Sequence, residues 1–230
     1  MREVSTPRQD FDSYIARADT VFIERENEPL EDLYNTGYLP YSSTRGLQNI
    51  FYSARSARVD CRSFELSSEN RRIAKKFDGQ FEKRRVPIKD FAANEAFYDF
   101  VTGYFTERHG AQVAPRERVE LWIQSGLVTT IVEYKKGGSV AGYVLEVEGG
   151  RMRHYWYSAY DLALAQQSLG MWLMLDCIRD AKADGIERYY LGTVYGPKAL
   201  YKTNFEPLQW WDGRSWSEDL RELKDKSRRD

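Results

Sequence analysis

Residues 191–207 read LGTVYGPKALYKTNFEP. A Gly-Pro pair breaks an apolar, strand-like run, and Lys198, Tyr201, Lys202, Asn204 and Phe205 follow at once. Pro197 suits the first position of a helix, where its missing N–H would have no intrahelical partner anyway. The free amides of such a start point back toward the strand end and favour an anion. On an α-helix Lys198 and Lys202 stand one turn apart on one face, and Tyr201 and Phe205 repeat that spacing. Two ammonium groups, open amides and two rings could hold an anion and stack a planar group. The same two rings could equally pack the helix onto a sheet.

A second basic stretch lies at residues 53–85, with ten Lys or Arg against five Asp or Glu. The whole chain of 230 residues carries a net charge of −1, so a polyanion would have to meet a local patch rather than a global field. This stretch is either that patch or a solvated helix face. Other chemistries leave no mark. There is no nucleophile elbow, no Walker-type glycine loop and no metal-ligand cluster. His109 and His154 stand alone and read as structural or exposed rather than catalytic. Cys61 and Cys177 form neither a disulfide framework nor a zinc pattern, which fits a reducing cytosol. No metal and no cofactor is expected. No run is long enough to span a membrane, and the N-terminus lacks the apolar core of a secretory signal.

These residues need elements to hold them. A helix is expected from Pro29 to Gly37, followed by turn-rich sequence over 35–46. Ser67 or Ser68 should cap a helix beginning near Glu69, with Lys75 and Lys76 toward its C-terminal end. Apolar residues at helical spacing predict a helix over 90–109 and a shorter one over 115–124. Residues 127–134, 139–148 and 151–160 read as three antiparallel strands separated by glycine turns. A long helix should run over 168–185, a strand over 186–194, a two-turn helix from Pro197, and a last strand at PLQWWD. Ser168 would cap the long helix or contribute to a site.

This order is that of the GCN5-related N-acetyltransferase (GNAT) fold: α+β, a mixed sheet flanked by helices, here with a small N-terminal subdomain. The segment from Ser168 to Trp216 resembles the C-terminal region of the arginyl- and leucyl-tRNA–protein transferases. The residues that carry the likeness are Ser168-Leu169-Gly170, Tyr190-Leu191-Gly192, Pro197-Lys198, Tyr201-Lys202, Phe205, Pro207 and Trp216. RVDCRSFELSSENRRIAKKF at 58–77 resembles the family's Arg-x-Asp segment. Many members place a cysteine cluster just before it; this chain has Phe51 and Tyr52 there.

The resemblance implies transfer of an amino acid from an aminoacyl-tRNA to the amine of an acceptor protein or peptide, in the cytoplasm. The ester is already activated, so the protein must mainly align amine and ester and stabilise an oxyanion. On this reading Lys198, Tyr201 and Lys202 hold the terminal nucleotides and the ester, with Lys202, Tyr201 and Asp60 as the catalytic set. Arg58, Arg71 and Arg72 would receive an acidic acceptor by their guanidinium forks; Arg71 and Arg72 could instead contact phosphate or solvent. Asp60 would hold the acceptor ammonium or orient Arg58. Ser168, Gly170, Tyr195, Asn204 and Phe205 complete the binding set. Residues 1–86 are expected to form an acceptor- and RNA-contacting subdomain and 87–230 the transferase core. Two alternatives remain open: the same transfer onto a small peptide natural product, and acetyl transfer from acetyl-CoA. The second is weakened by AQQSLGMW, which offers one glycine where a pyrophosphate loop would want several.

Overall fold

The structure, a computed structural model, describes residues 2–4, 9–11, 14–16, 22–42 and 49–230. Part of the turn-rich stretch expected at 35–46 lies outside the described residues. In chain order the elements are β1 (Arg2–Val4), β2 (Gln9–Phe11), β3 (Tyr14–Ala16), β4 (Phe22–Glu24), α1 (Leu30–Asn35), β5 (Tyr38–Pro40) and β6 (Ile50–Ser53). There follow β7 (Ser56–Asp60), α2 (Ser68–Phe77), β8 (Glu82–Pro87), α3 (Glu95–His109), α4 (Arg116–Gln124), β9 (Thr130–Lys136), β10 (Ser139–Gly149) and β11 (Met152–Tyr160). The chain continues with α5 (Leu169–Ala183), β12 (Arg188–Thr193), a 3-10 helix (Pro197–Asn204), β13 (Leu208–Trp211), β14 (Trp216–Ser217) and α6 (Leu220–Arg228).

Eight strands form one sheet in the order β14-β13-β7-β12-β11-β10-β9-β8. β11 and β12 run parallel, and the other described neighbours in this sheet are antiparallel. β1, β4, β6 and β5 make a smaller sheet, and β2 pairs with β3. The fold is α+β with a mixed sheet flanked by helices. Successive strand residues point to opposite faces, and β10 divides its residues accordingly. Val144 joins a core with α2 and α5, whereas Tyr143 and Leu145 join a second core under α3 and α4. Local signals start the helices: Ser67 Oγ accepts from the Asn70 amide at 3.1 Å, and Asn94 Oδ1 from the Phe97 amide at 3.0 Å.

The sheet does not follow the expected division after residue 86. β7 lies between β12 and β13, and β8 forms the edge beside β9. Residues 56–87 therefore belong to the same sheet as the meander. Their strand character is hidden in sequence by charge: β8 reads EKRRVP, and its Arg85 is stabilised by the buried Glu146 carboxylate at 2.7 Å.

Two irregularities position the site. β11 and β12 pair only from Met152/Arg188 to His154/Tyr190, although β11 runs on to Tyr160 and β12 to Thr193. Beyond His154 the two strands part. On its other side β12 shifts register against β7 between Tyr190 and Gly192, and Gly192 has φ +80°. A bulge there requires a left-handed residue, which glycine adopts without steric cost.

Candidate active site

Residues far apart in sequence meet because β7, β12 and β13 are neighbours. Arg58 lies opposite Tyr190 on one side and Gln209 on the other. Tyr190 precedes the Gly192 bulge, and the chain after β12 turns into the 3-10 helix that carries Lys202.

The ammonium of Lys202 is buried and donates to the Thr193 carbonyl at 2.7 Å. Among the described residues it forms no ion pair with a carboxylate. Removing a cation from water without a counter-charge favours the neutral amine, and burial lowers its pKa to about 7. A Cβ on Gly192 would stand 3.6 Å from both Lys202 Nζ and His154 Nε2. The two nitrogens thus flank the one position that carries no side chain.

His154 corrects its expected isolation. It is fully enclosed, its Nδ1 pairs with the Tyr34 hydroxyl at 2.9 Å, and its Nε2 is buried without a hydrogen-bond partner among the described residues. Burial, reinforced by Lys202, lowers its pKa to about 3, so the ring is neutral. Tyr34 also meets Tyr190 edge-on at 4.9 Å. The Tyr190 hydroxyl donates to Asn35 Oδ1 at 3.0 Å and accepts from Arg58 at 3.1 Å. Neither Tyr34 nor Asn35 was singled out in the sequence. Their contacts to His154 and Tyr190 cross more than a hundred residues, and only the helical phase of α1 hinted that Tyr34 faces inward.

The segment after Pro197 is a 3-10 helix rather than the expected α-helix. With about three residues per turn, positions three apart align and positions four apart diverge. Lys198 and Tyr201 therefore share the outward side; Tyr201 is 39% exposed. Lys202 and Phe205 turn inward, and Phe205 is buried in the core. Phe205 is thus a packing residue with no face open to stack a base. Asn204 is exposed, and its carbonyl accepts from Asn70 at 3.2 Å. A cleft of about 550 Å³ between α3 and the outer ends of β10 and β11 is lined by Phe100, Tyr104, Val140 and Tyr160 among others. The Tyr104 and Tyr160 rings meet at 4.8 Å between centroids, and burial raises the Tyr104 pKa.

Other expected residues fall differently. Arg58 is buried: it donates to Gln209 at 2.9 Å and Asn35 at 3.0 Å, and its guanidinium lies 4.0 Å from the Trp216 ring centroid. Its Nε and one terminal nitrogen are engaged by neutral acceptors, so it fixes β7 against α1 and β13. Asp60 does not orient Arg58. It pairs with Arg62 and Arg188, each at 3.0 Å, and the Arg62 hydrogen bond chiefly holds its carboxyl below the usual range. Arg71 donates to the Leu66 carbonyl and Arg72 pairs with Glu69 at 2.7 Å, both on the exposed side of α2. Ser168 adopts φ +72° and makes no side-chain cap. A Cβ on Gly170 would stand 2.6 Å from the Tyr160 hydroxyl, so that ring occupies the open side of the α5 start. The Tyr195 hydroxyl accepts from the Arg55 amide at 2.9 Å.

Among the described residues no group of three or more His, Cys, Asp or Glu could hold a metal ion, and no helix is long and apolar enough to cross a membrane. The two cysteines are buried thiols, and burial pushes Cys61 up to about 12.

Comparison with known proteins gives the family. The acetyltransferase (GNAT) domain model matches residues 65–203. An aspartate/glutamate leucyltransferase of Hyphomonas neptunium is 30% identical over 197 residues, covering 77% of this chain and 76% of that protein. One from Maricaulis maris is 25% identical over 194 residues, covering 77% and 74%. One from Sinorhizobium medicae is 44% identical over 62 residues, covering 26% and 24%. The chain is a GNAT-fold enzyme and belongs to the aminoacyltransferase family that contains these leucyltransferases.

Proposed function

We propose that the chain is a cytoplasmic enzyme that moves an amino acid, leucine by analogy with its relatives' names, from the 3′ end of a charged tRNA to the N-terminal amine of a protein beginning with Asp or Glu. The observation that carries this reading is Lys202: a buried amine with no carboxylate partner among the described residues, set where the parallel strands part. With a pKa of about 7 it holds a useful neutral fraction at physiological pH. The acceptor amine attacks the ester carbonyl; a C–N bond forms as the C–O bond to the ribose breaks. Lys202 takes the proton the amine loses and returns it to the departing ribose oxygen, so the enzyme ends unchanged. Lys198 and Tyr201, together on the outward side of the 3-10 helix, contact the phosphate and base of the tRNA end.

An RNA ester is favoured over acetyl-CoA by the start of α5. Pyrophosphate needs bare amides at a helix start, and here Tyr160 lies against Gly170. The test is transfer of radiolabel from a pool of aminoacylated tRNAs to peptides of differing first residue. Label should move to Asp- and Glu-initiated peptides from leucyl-tRNA. Label that stays on the RNA with every peptide, or micromolar binding of acetyl-CoA with acetyl transfer, would overturn the reading.

A further inference from the structure

None of the three arginines expected to receive an acidic acceptor presents an open fork near Lys202, but Arg55 already grips a carboxylate there. Its guanidinium lies 4.7 Å from the Tyr195 ring centroid, and its terminal nitrogen donates to both oxygens of the Asp230 side chain, at 2.8 and 2.5 Å. The Gly196 amide, at the start of the 3-10 helix, donates to the same carboxylate at 2.8 Å. The side chains of Arg55 and Asp230 are only 13% and 5% exposed. This is a dry, charge-assisted carboxylate pocket, filled by the chain itself.

Its place in the fold ties it to the reaction. The Thr193 carbonyl takes Lys202, the Val194 amide donates to the Arg55 carbonyl, and the Gly196 amide takes Asp230. Three residues of backbone span at most about 11 Å, and the α-amine of an Asp or Glu residue stands a few ångströms from its own carboxylate. Ser227 Oγ donates to the Val194 carbonyl at 2.7 Å, which pins the end of α6 over the same turn and delivers Asp230.

The fit of Asp230 is incomplete. Both its oxygens share one guanidinium nitrogen, and Arg55 Nε is buried with no acceptor among the described residues. A carboxylate that took Nε and the terminal nitrogen together would make the stronger bidentate pair. We propose that Arg55 and the Gly196 amide form the pocket that reads the acidic side chain of the acceptor, and that Asp230 occupies it as an internal competitor until an acceptor displaces it. This rests on the reading of the acceptor given above.

The test is binding without tRNA. Two synthetic pentapeptides, identical except for Asp or Asn at the first position, are titrated calorimetrically into the wild type, Asp230→Ala, and Asp230→Ala combined with Arg55→Gln. Removing an intramolecular competitor should tighten the Asp peptide by about tenfold or more and leave the Asn peptide unchanged. Arg55→Gln should then erase the preference; Arg55→Lys, which keeps the charge and loses the fork, should erase most of it and serves if the glutamine variant does not fold. Unchanged affinity in Asp230→Ala, equal tightening of both peptides, or a preference that survives loss of Arg55 would each overturn the proposal. The label-transfer assay separates the two readings. Arg55-dependent binding with no transfer leaves the pocket and removes the tRNA donor. Transfer to Asp peptides that neither variant alters removes the pocket and leaves the reaction.

Discussion

Two stretches of this chain are rich in cations, and they use them in opposite ways. On α2 and its flanks, Arg62 and Arg72 pair with Asp60 and Glu69, both arginines open to solvent. Around β12, Lys202 and Arg58 are buried against a carbonyl, an amide side chain and phenols. Exposed ion pairs contribute little to stability and leave each charge in its ordinary state. A buried lysine held by neutral groups is costly to keep charged, and its proton becomes available for chemistry; a buried guanidinium such as Arg58 keeps its proton and braces its neighbours. The density of Lys and Arg in the sequence does not distinguish the two; the identity of their partners does.

Lys202 is the sharpest probe of this contrast. Lys202→Met should lower transfer by about two orders of magnitude or more, the usual range for a proton-transfer group. The wild type should also show an acid limb in its pH–rate profile near 7, because below that pH the amine is protonated and cannot accept. Stability should rise with pH as well. The unfolded lysine keeps its proton up to about 10.5, whereas the folded one loses it at about 7. Between these values the unfolded chain holds more protons, so wild-type stability rises with pH across that window and is least below it. Lys202→Met should abolish that slope and hold or raise the thermal midpoint at pH 7. A variant that loses both activity and stability at pH 7 would place Lys202 among ordinary structural cations.

Tyr34→Phe probes the neutral groups around that cation. It removes the hydroxyl from His154 Nδ1 and leaves a buried imidazole with no partner on either nitrogen. Loss of one such partner costs about 1–3 kcal/mol, measurable as a shift in denaturant midpoint. Transfer should fall about tenfold, as Lys202 loses a fixed neighbour across Gly192. Unchanged stability and turnover would mean that the Tyr34–His154 contact does not brace the site.

Much of this architecture was legible in the sequence, and the failures share a cause. The helix start at Ser67, the glycine turns of the meander and the long α5 depend on neighbouring residues, so local signals located them, whereas the helix expected from 90 begins only at Glu95, behind the Asn94 cap. β7 and β8 were not read as strands, because their side chains are rescued by partners far along the chain, as Arg85 is by Glu146. The 3-10 helix defeated the spacing argument in a similar way. Lys198 and Lys202 seemed to share a face only under α-helical geometry, whereas packing of Phe205 into the core accompanies a tighter turn. His154 and Tyr34 carry no local signal at all, since a lone imidazole declares its role only through the atoms that meet it across strands.

The smallest expected effect tests the other half of the comparison. Arg71 and Arg72 lie on the exposed side of α2, where Arg71 reaches its own chain at Leu66 and Arg72 is answered by Glu69 one turn away. The Glu69 carboxyl is held below its usual range chiefly by the Arg72 hydrogen bond, yet both groups are open to solvent, where such pairs are screened. Arg71→Ala and Arg72→Ala should each leave the denaturant midpoint essentially unchanged and leave transfer within about twofold. Lys198→Ala supplies the contrast, since Lys198 stands on the outward side of the 3-10 helix beside Tyr201. Its loss should reduce the salt dependence of charged-tRNA binding by about one unit of slope. The two α2 arginines should not alter that slope, because each is already engaged within the protein. A drop in slope on removing Arg72, with none on removing Lys198, would move the RNA contact from the 3-10 helix to α2 and reverse the assignment of the two cationic regions.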